Sequence, residues 1–145
     1  MKKTDKDEAK EEKTKEIQQK YVELQLLDQQ MKQVQKQIQA LEMQAAELDL
    51  VQKSLDEFSS VKPGSDSFVT VTPGIFAKAE IKDNKKVFLN VGSGAVVEKT
   101  VPESKKIIAD QITEMRKLQE DLTTQLDKLA SKAAKVEAEL KKLVE

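Results

Sequence analysis

The sequence predicts an α+β fold: a long antiparallel two-helix coiled coil with a four-stranded β region between its helices, whose strands join a sheet or barrel shared between subunits. Three observations lead there. Glycine and proline are confined, since residues 5–58 and 103–145 contain neither, while 61–100 hold all four glycines and two of the three prolines. Both glycine-free stretches carry apolar residues in heptads. The stretch between them alternates apolar and polar residues with a period of two, the spacing of a half-exposed strand. In chain order, 1–16 is a charged N-terminal extension, 17–60 the first helix, 61–101 the β oligomerisation region and 102–145 the second helix.

Residues 1–16 carry six lysines and six acidic residues, and read as a solvated, partly helical extension held by i,i+4 pairs. From Ile17 the heptad begins. Its a positions are Ile17, Leu24, Met31, Ile38, Ala45 and Gln52, and its d positions are Lys20, Leu27, Val34, Leu41, Leu48 and Leu55. At 1.5 Å per residue this helix would be roughly 80 Å long.

Four strands follow. Val69 and Val71 alternate with Phe68, Thr70 and Thr72, and Thr72-Pro73-Gly74 is a turn. Ile75, Ala77, Ala79 and Ile81 alternate with Phe76, Lys78, Glu80 and Lys82, and Asp83-Asn84-Lys85 turns again. Val87, Leu89 and Val91 alternate with Phe88 and Asn90. Gly92-Ser93-Gly94 is a third turn, before Ala95 through Thr100. The strands form two hairpins or a meander. A lone hairpin is marginal in water and an unpaired strand edge invites another chain, so these strands should complete a structure shared between subunits. Gly92 and Gly94 supply the positive φ of a tight turn. A phosphate cradle is the sharper alternative, but no Gly-Lys-Ser/Thr follows. Val69, Val71, Ile81, Val87, Leu89, Val91 and Val97 should be buried in the shared structure, each contributing at most about 1.5–3 kcal/mol.

Pro102 and Glu103 suit the first turn of the second helix. Its d set is Ile108, Met115, Leu122, Leu129, Val136 and Leu143, and its a set Ile112, Gln119, Leu126, Ala133 and Leu140. Because the β region returns the chain, the helices run antiparallel. Matching a layers to d layers requires partner numbers summing to about 160 or about 167, which sets either Ile17 or Leu24 against Leu143. Lys20, Gln52, Gln119, Ala45 and Ala133 interrupt the seam, loosening it locally and controlling its register.

Composition narrows the function. Charged residues make up 35% of the 145-residue chain and aromatics 3%, leaving too little bulk for a thick core, so partner subunits should supply part of the stability. A net charge of −1, from 25 basic and 26 acidic residues, gives no footprint for nucleic acid. No apolar run reaches the length of about 18 residues that spans a membrane. The first residues resemble no secretory signal, so a cytoplasmic location is the default. Cysteine and histidine are absent, which removes thiolate chemistry, the commonest metal ligands and the commonest general base. No catalytic, cofactor-binding or metal-binding residues are expected, and the chain reads as a non-enzyme.

The stretch Asn90-Val91-Gly92-Ser93-Gly94-Ala95-Val96-Val97-Glu98-Lys99-Thr100 resembles the α-class subunits of prefoldin, archaeal-type prefoldin alpha, which show a Val-Gly-(Ser/Thr)-Gly turn, small or apolar residues, then Val-Glu-Lys and Ser or Thr. Phe68-Val69-Thr70-Val71-Thr72-Pro73-Gly74-Ile75-Phe76-Ala77-Lys78-Ala79 looks like that family's Leu-Val-Pro-Val-Gly-Ala-Gly-Ser-Phe stretch. Thr70 stands for its proline, Thr72-Pro73 for Gly-Ala and Ile75 for its serine. The order helix, four strands, helix covers the whole chain.

The resemblance implies an ATP-independent co-chaperone, a holdase. Two α-class and four β-class subunits would join their strands in a double β-barrel platform, hold unfolded polypeptide clients at six coiled-coil tips and deliver them to a group II chaperonin. The platform residues would be Val69, Val71, Ile81, Val87, Leu89, Val91, Gly92, Gly94 and Val97, and the client-binding tip Ile17, Tyr21, Leu24, Leu140, Leu143 and Val144, unless these six simply cap the seam. Each tip would bind weakly, and six acting together gain avidity. The alternative is a structural, filament-forming member of the same family. A nucleic-acid-binding arm is a third reading, against which the charge balance weighs.

Overall fold

The computed structural model of the chain describes residues 4–145. Its elements are α1 (Asp5–Ser60), β1 (Asp66–Thr72), β2 (Ile75–Glu80), β3 (Lys86–Gly92), β4 (Ala95–Thr100) and α2 (Val101–Val144). The first three residues of the charged extension lie outside the described residues; from Asp5 onward it is helical. Thr4 precedes α1 as its cap: its carbonyl accepts from Asp7 N and Glu8 N, and its hydroxyl donates to Asp7 Oδ2 at 2.9 Å. Asp5, Asp7 and Glu8 in the first turn suit the positive end of the helix.

The chain divides into two compact units: residues up to Glu42 with Lys117–Glu145, and Met43–Arg116. In the first unit, α1 and α2 bury Leu27 and Val34 with Val136 and Leu140. The remaining heptad residues of this unit are half-buried. Apart from Glu23 and Glu139, every other described residue here is exposed, so the heptad pattern accounts for the covered face almost alone. Lys20 Nζ meets Glu139 Oε2 at 2.5 Å, and Gln119 Nε2 donates to Glu42 Oε2 at 2.9 Å. These partners have numbers summing to about 160, the register that sets Ile17 against Leu143.

In the second unit, Ala45, Val101, Ser104 and Ile108 form the buried contacts. Gln52 Nε2 donates to the Lys105 carbonyl at 2.9 Å, and the Lys105 ammonium pairs with Asp56. The polar seam residues thus act as register pins, giving partner numbers near the same sum. α1 ends where Ser59 and Ser60 bond back to the carbonyls of Asp56 and Glu57, just before Pro63 and Gly64. α2 begins in a reciprocal cap: Glu103 N donates to Thr100 Oγ1 at 3.2 Å, and Thr100 N to Glu103 Oε2 at 3.4 Å. The helix thus starts one residue before Pro102, which lies in the first turn where its missing N–H costs nothing.

The strands form two separate antiparallel hairpins, β1–β2 and β3–β4, which decides against a meander. Gly74 takes φ 82° in the first turn. In the second, Ser93 and Gly94 take φ 53° and 75°, the signature of a type I′ turn, with Gly92 at 111°. Asn84 joins the connection between the hairpins to the end of α1, donating to the carbonyls of Ser59 and Val61 at 3.1 and 3.0 Å. The hairpins are structural copies offset by twenty residues. Val69 pairs with Ala77 as Leu89 pairs with Val97, and the register shifts between Thr70 and Thr72 as it does between Asn90 and Gly92. Ile81 N donates to Ser65 O as Val101 N donates to Lys85 O.

Candidate interaction surfaces

Side chains alternate along a strand, and directly paired residues share a face. One face of the first hairpin therefore carries Val69, Val71, Ala77 and Ala79, and the matching face of the second carries Val87, Leu89, Val91 and Val97. No residue of the four strands is buried. Val69, Val71 and Val91 are 41%, 65% and 52% exposed, and Val87, Leu89 and Val97 are half-buried, as is Ile81 just beyond β2. The chain alone therefore leaves the expected platform residues in contact with water.

The opposite faces were not singled out from the sequence. They carry Phe68 and Phe76 on the first hairpin, and Phe88 and Val96 on the second, at 73%, 62%, 75% and 58% exposure. Three of the chain's four phenylalanines therefore stand largely in water. Large exposed apolar side chains grouped in this way mark an interaction surface. The signal that could have found them is the twenty-residue recurrence of Phe68 in Phe88 and of Gly74 in Gly94.

The proposed tip divides into two kinds of residue. Tyr21 and Val144 are exposed, whereas Ile17, Leu24 and Leu143 are half-buried in the seam and Leu140 is buried. Leu140 is an a-position residue closed against α1, so it offers no surface while the helices stay paired. Val22 and Leu26, like Tyr21 outside the heptad seam, are also exposed and were not among the expected tip residues. Just inside this end sits the Lys20–Glu139 pair. The hydrogen bond between them, with their mutual attraction, holds the Glu139 carboxyl below its ordinary value. The same bond raises the Lys20 ammonium, against a smaller opposing effect of burial. The pair fastens the end of the seam at neutral pH. No cluster able to hold a metal ion occurs among the described residues, and none of their helices is long and apolar enough to cross a membrane.

The family model described as prefoldin subunit matches residues 27–145, which include both hairpins and all of α2. The chain belongs to the prefoldin family. It is 29% identical to prefoldin subunit alpha of Archaeoglobus fulgidus over 126 residues, covering 87% of this chain and 92% of that one. It is 28% identical to prefoldin subunit alpha of Methanococcus vannielii over 90 residues, spanning 62% of each chain. Its fold matches a filamentous prefoldin from Methanocaldococcus jannaschii with a TM-score of 0.77 at 20% identity, over 82% of this chain and 98% of that one. The relatives are alpha-class, as the Gly92–Gly94 turn and its sequel suggested. Membership supports a co-chaperone role and assembly with other prefoldin subunits, a chaperone-type rather than catalytic function.

Proposed function

We propose that the chain is the α-class subunit of an ATP-independent holdase, which binds unfolded polypeptides at coiled-coil tips and delivers them to a group II chaperonin. In this reading two copies join four β-class prefoldin subunits in the cytoplasm. The observation that carries it is the pairing of two surfaces on one chain: strands with no buried residue, suited to docking, and a helix-pair end that keeps Tyr21, Val22 and Val144 in water. The platform would be closed by Val69, Val71, Ile81, Val87, Leu89, Val91 and Val97, with Gly92 and Gly94 shaping the turn. At the tip, Tyr21, Val22, Leu26 and Val144 make contact with the client, and Ile17, Leu24, Leu140 and Leu143 add apolar area only where the end frays.

The test uses the assembled complex. Tyr21→Ser, Val22→Ser and Val144→Ser together leave the buried seam intact, unlike a change at Leu140. They should cut suppression of client aggregation several-fold while the complex keeps its mass. Undiminished suppression would reject the tip. An open polymer in place of a discrete complex would favour the filament-forming alternative.

A further inference from the structure

Between Ile17 and Leu55, and between Ile108 and Leu143, every a and d position is apolar or an uncharged glutamine except Lys20. The register sets Lys20 opposite Leu140, with Ile17 opposite Leu143 toward the open end and Leu24 opposite Val136 on the inner side. A lysine stem can lie along such apolar surface, but its ammonium must leave it and find a partner. Here the Lys20 side chain is 22% exposed, and its ammonium meets Glu139 Oε2 at 2.5 Å across the two helices. Charges of both helices surround the pair: Glu16 and Glu23 of α1 act on Lys20, and Lys135 and Lys142 of α2 act on Glu139. Each favours the charge it faces. At and behind this layer the seam is closed, with Leu27, Val136 and Leu140 buried, whereas Ile17 and Leu143 beyond it are half-buried. An ion pair therefore holds the layer that a leucine would hold by burial. Such a layer opens more readily, because both charges return to water when the helices part.

We propose that Lys20 and Glu139 form a clasp that sets which clients the tip retains. With the clasp closed, the tip offers Tyr21, Val22 and Val144 to a client. When it opens, the seam residues Ile17, Leu24, Leu140 and Leu143 join them. A segment that touches only the exposed residues gains nothing from opening. A segment with a longer apolar stretch binds the open tip better and draws the population toward it. Its apparent affinity is its affinity for the open tip reduced by the fraction of tips that are open. The clasp fixes that fraction and so acts as a threshold. Weakly apolar segments are held loosely and leave, while strongly apolar ones open the tip and stay. An apolar residue in place of Lys20 would raise the threshold, and a like charge in place of Glu139 would lower it. The inference rests on the holdase reading and adds to it the two residues that set its selectivity.

The test uses the assembled complex and reduced, unfolded lysozyme, a basic chain that aggregates on dilution. Lys20→Leu gives the layer an apolar pair. It should slow amide exchange over residues 17–24 and 136–143 by at least about threefold and weaken suppression of lysozyme aggregation by a similar factor. Glu139→Lys sets like charges against each other, and should speed the same amides and strengthen suppression, each by at least about threefold. Simple attraction to a basic client would move both variants the other way, since the first removes a positive charge and the second adds one. In the double variant Lys20→Leu, Glu139→Lys, the introduced lysine has no ammonium to repel, so the result should match Lys20→Leu alone to within about twofold. Circular dichroism and native mass check that each variant keeps its helices and assembles. Suppression equal to wild type in both single variants would overturn the clasp and leave the holdase reading standing. A full Glu139→Lys effect that persists alongside Lys20→Leu would overturn it too. A wild-type complex that suppresses nothing would remove the holdase reading, and the clasp with it.

Discussion

Leu26 and Leu27 are consecutive residues of identical chemistry, about 100° apart around one helix, and are 53% and 4% exposed. Replacing each with alanine isolates the contribution of the seam. Leu→Ala removes apolar carbon equivalent to about three methylenes, or roughly 2.4 kcal/mol at ~0.8 kcal/mol per buried group. A cavity term would raise this, but a two-helix seam can close partly around the gap. The cost at Leu27 should therefore fall near the low end of the usual range of about 2–5 kcal/mol. At Leu26 the same change should stay within about 0.5 kcal/mol, since surface substitutions rarely do more and alanine is the better helix former. For a chain of this length each kcal/mol moves the melting midpoint by roughly 2–4 °C, so Leu27→Ala should melt about 4–12 °C below wild type and Leu26→Ala within ~2 °C. Thermal unfolding followed by circular dichroism measures both. Equal losses at the two positions, or a larger loss at Leu26, would refute the assignment of the covered face and the register built on it.

Two further predictions follow from polar contacts. Glu103→Ala removes one arm of the reciprocal cap at the start of α2 and should cost about 0.5–2 kcal/mol, seen as faster amide exchange over the first turn of that helix, with Thr100→Ala giving a loss of similar size. The Lys20–Glu139 pair gives a pH signature. Because the Glu139 carboxyl is lowered in the folded chain, its contribution is present above the ordinary carboxylate range and disappears as pH falls through the lowered value. Because Lys20 is raised, its contribution is full below the ordinary lysine range and disappears only as pH rises through the raised value. The end of the seam should therefore stay fastened at neutral pH and loosen in acid. Lys20→Leu should return the Glu139 titration, followed by carboxyl NMR, to the ordinary range. A Glu139 titration that ignores this substitution would show that the pair is not formed in solution.

The seam was almost wholly legible, because burial along a helix pair follows one period. Every a and d residue from Ile17 to Leu55 and from Ile108 to Leu143 is at least half-buried. The sequence does not reveal what the polar seam residues reach. Lys20 finds Glu139 and Gln52 finds the Lys105 carbonyl only in one of two registers that the heptads alone leave equivalent. The strands were legible from valine alternation, yet attention went to the aliphatic face, since alternation identifies two faces without saying which one a partner covers. Phe68, Phe76 and Phe88 were passed over for that reason. The tip was legible only in part. Heptad position correctly marks Leu140 as a seam residue but cannot say that it is buried to 7% exposure, while Tyr21, Val22, Leu26 and Val144 all fall outside the heptad, which gives no ground for choosing among them.

The central claim is that Asp66 through Thr100 forms a docking surface between chains, which no residue of this chain alone buries. The most direct measurement is the native mass of the complex obtained by co-expressing the chain with a β-class prefoldin subunit. One discrete species with two copies of this chain and four of the partner is expected. A compact monomer that ignores the partner and leaves those strands satisfied within the chain would contradict it.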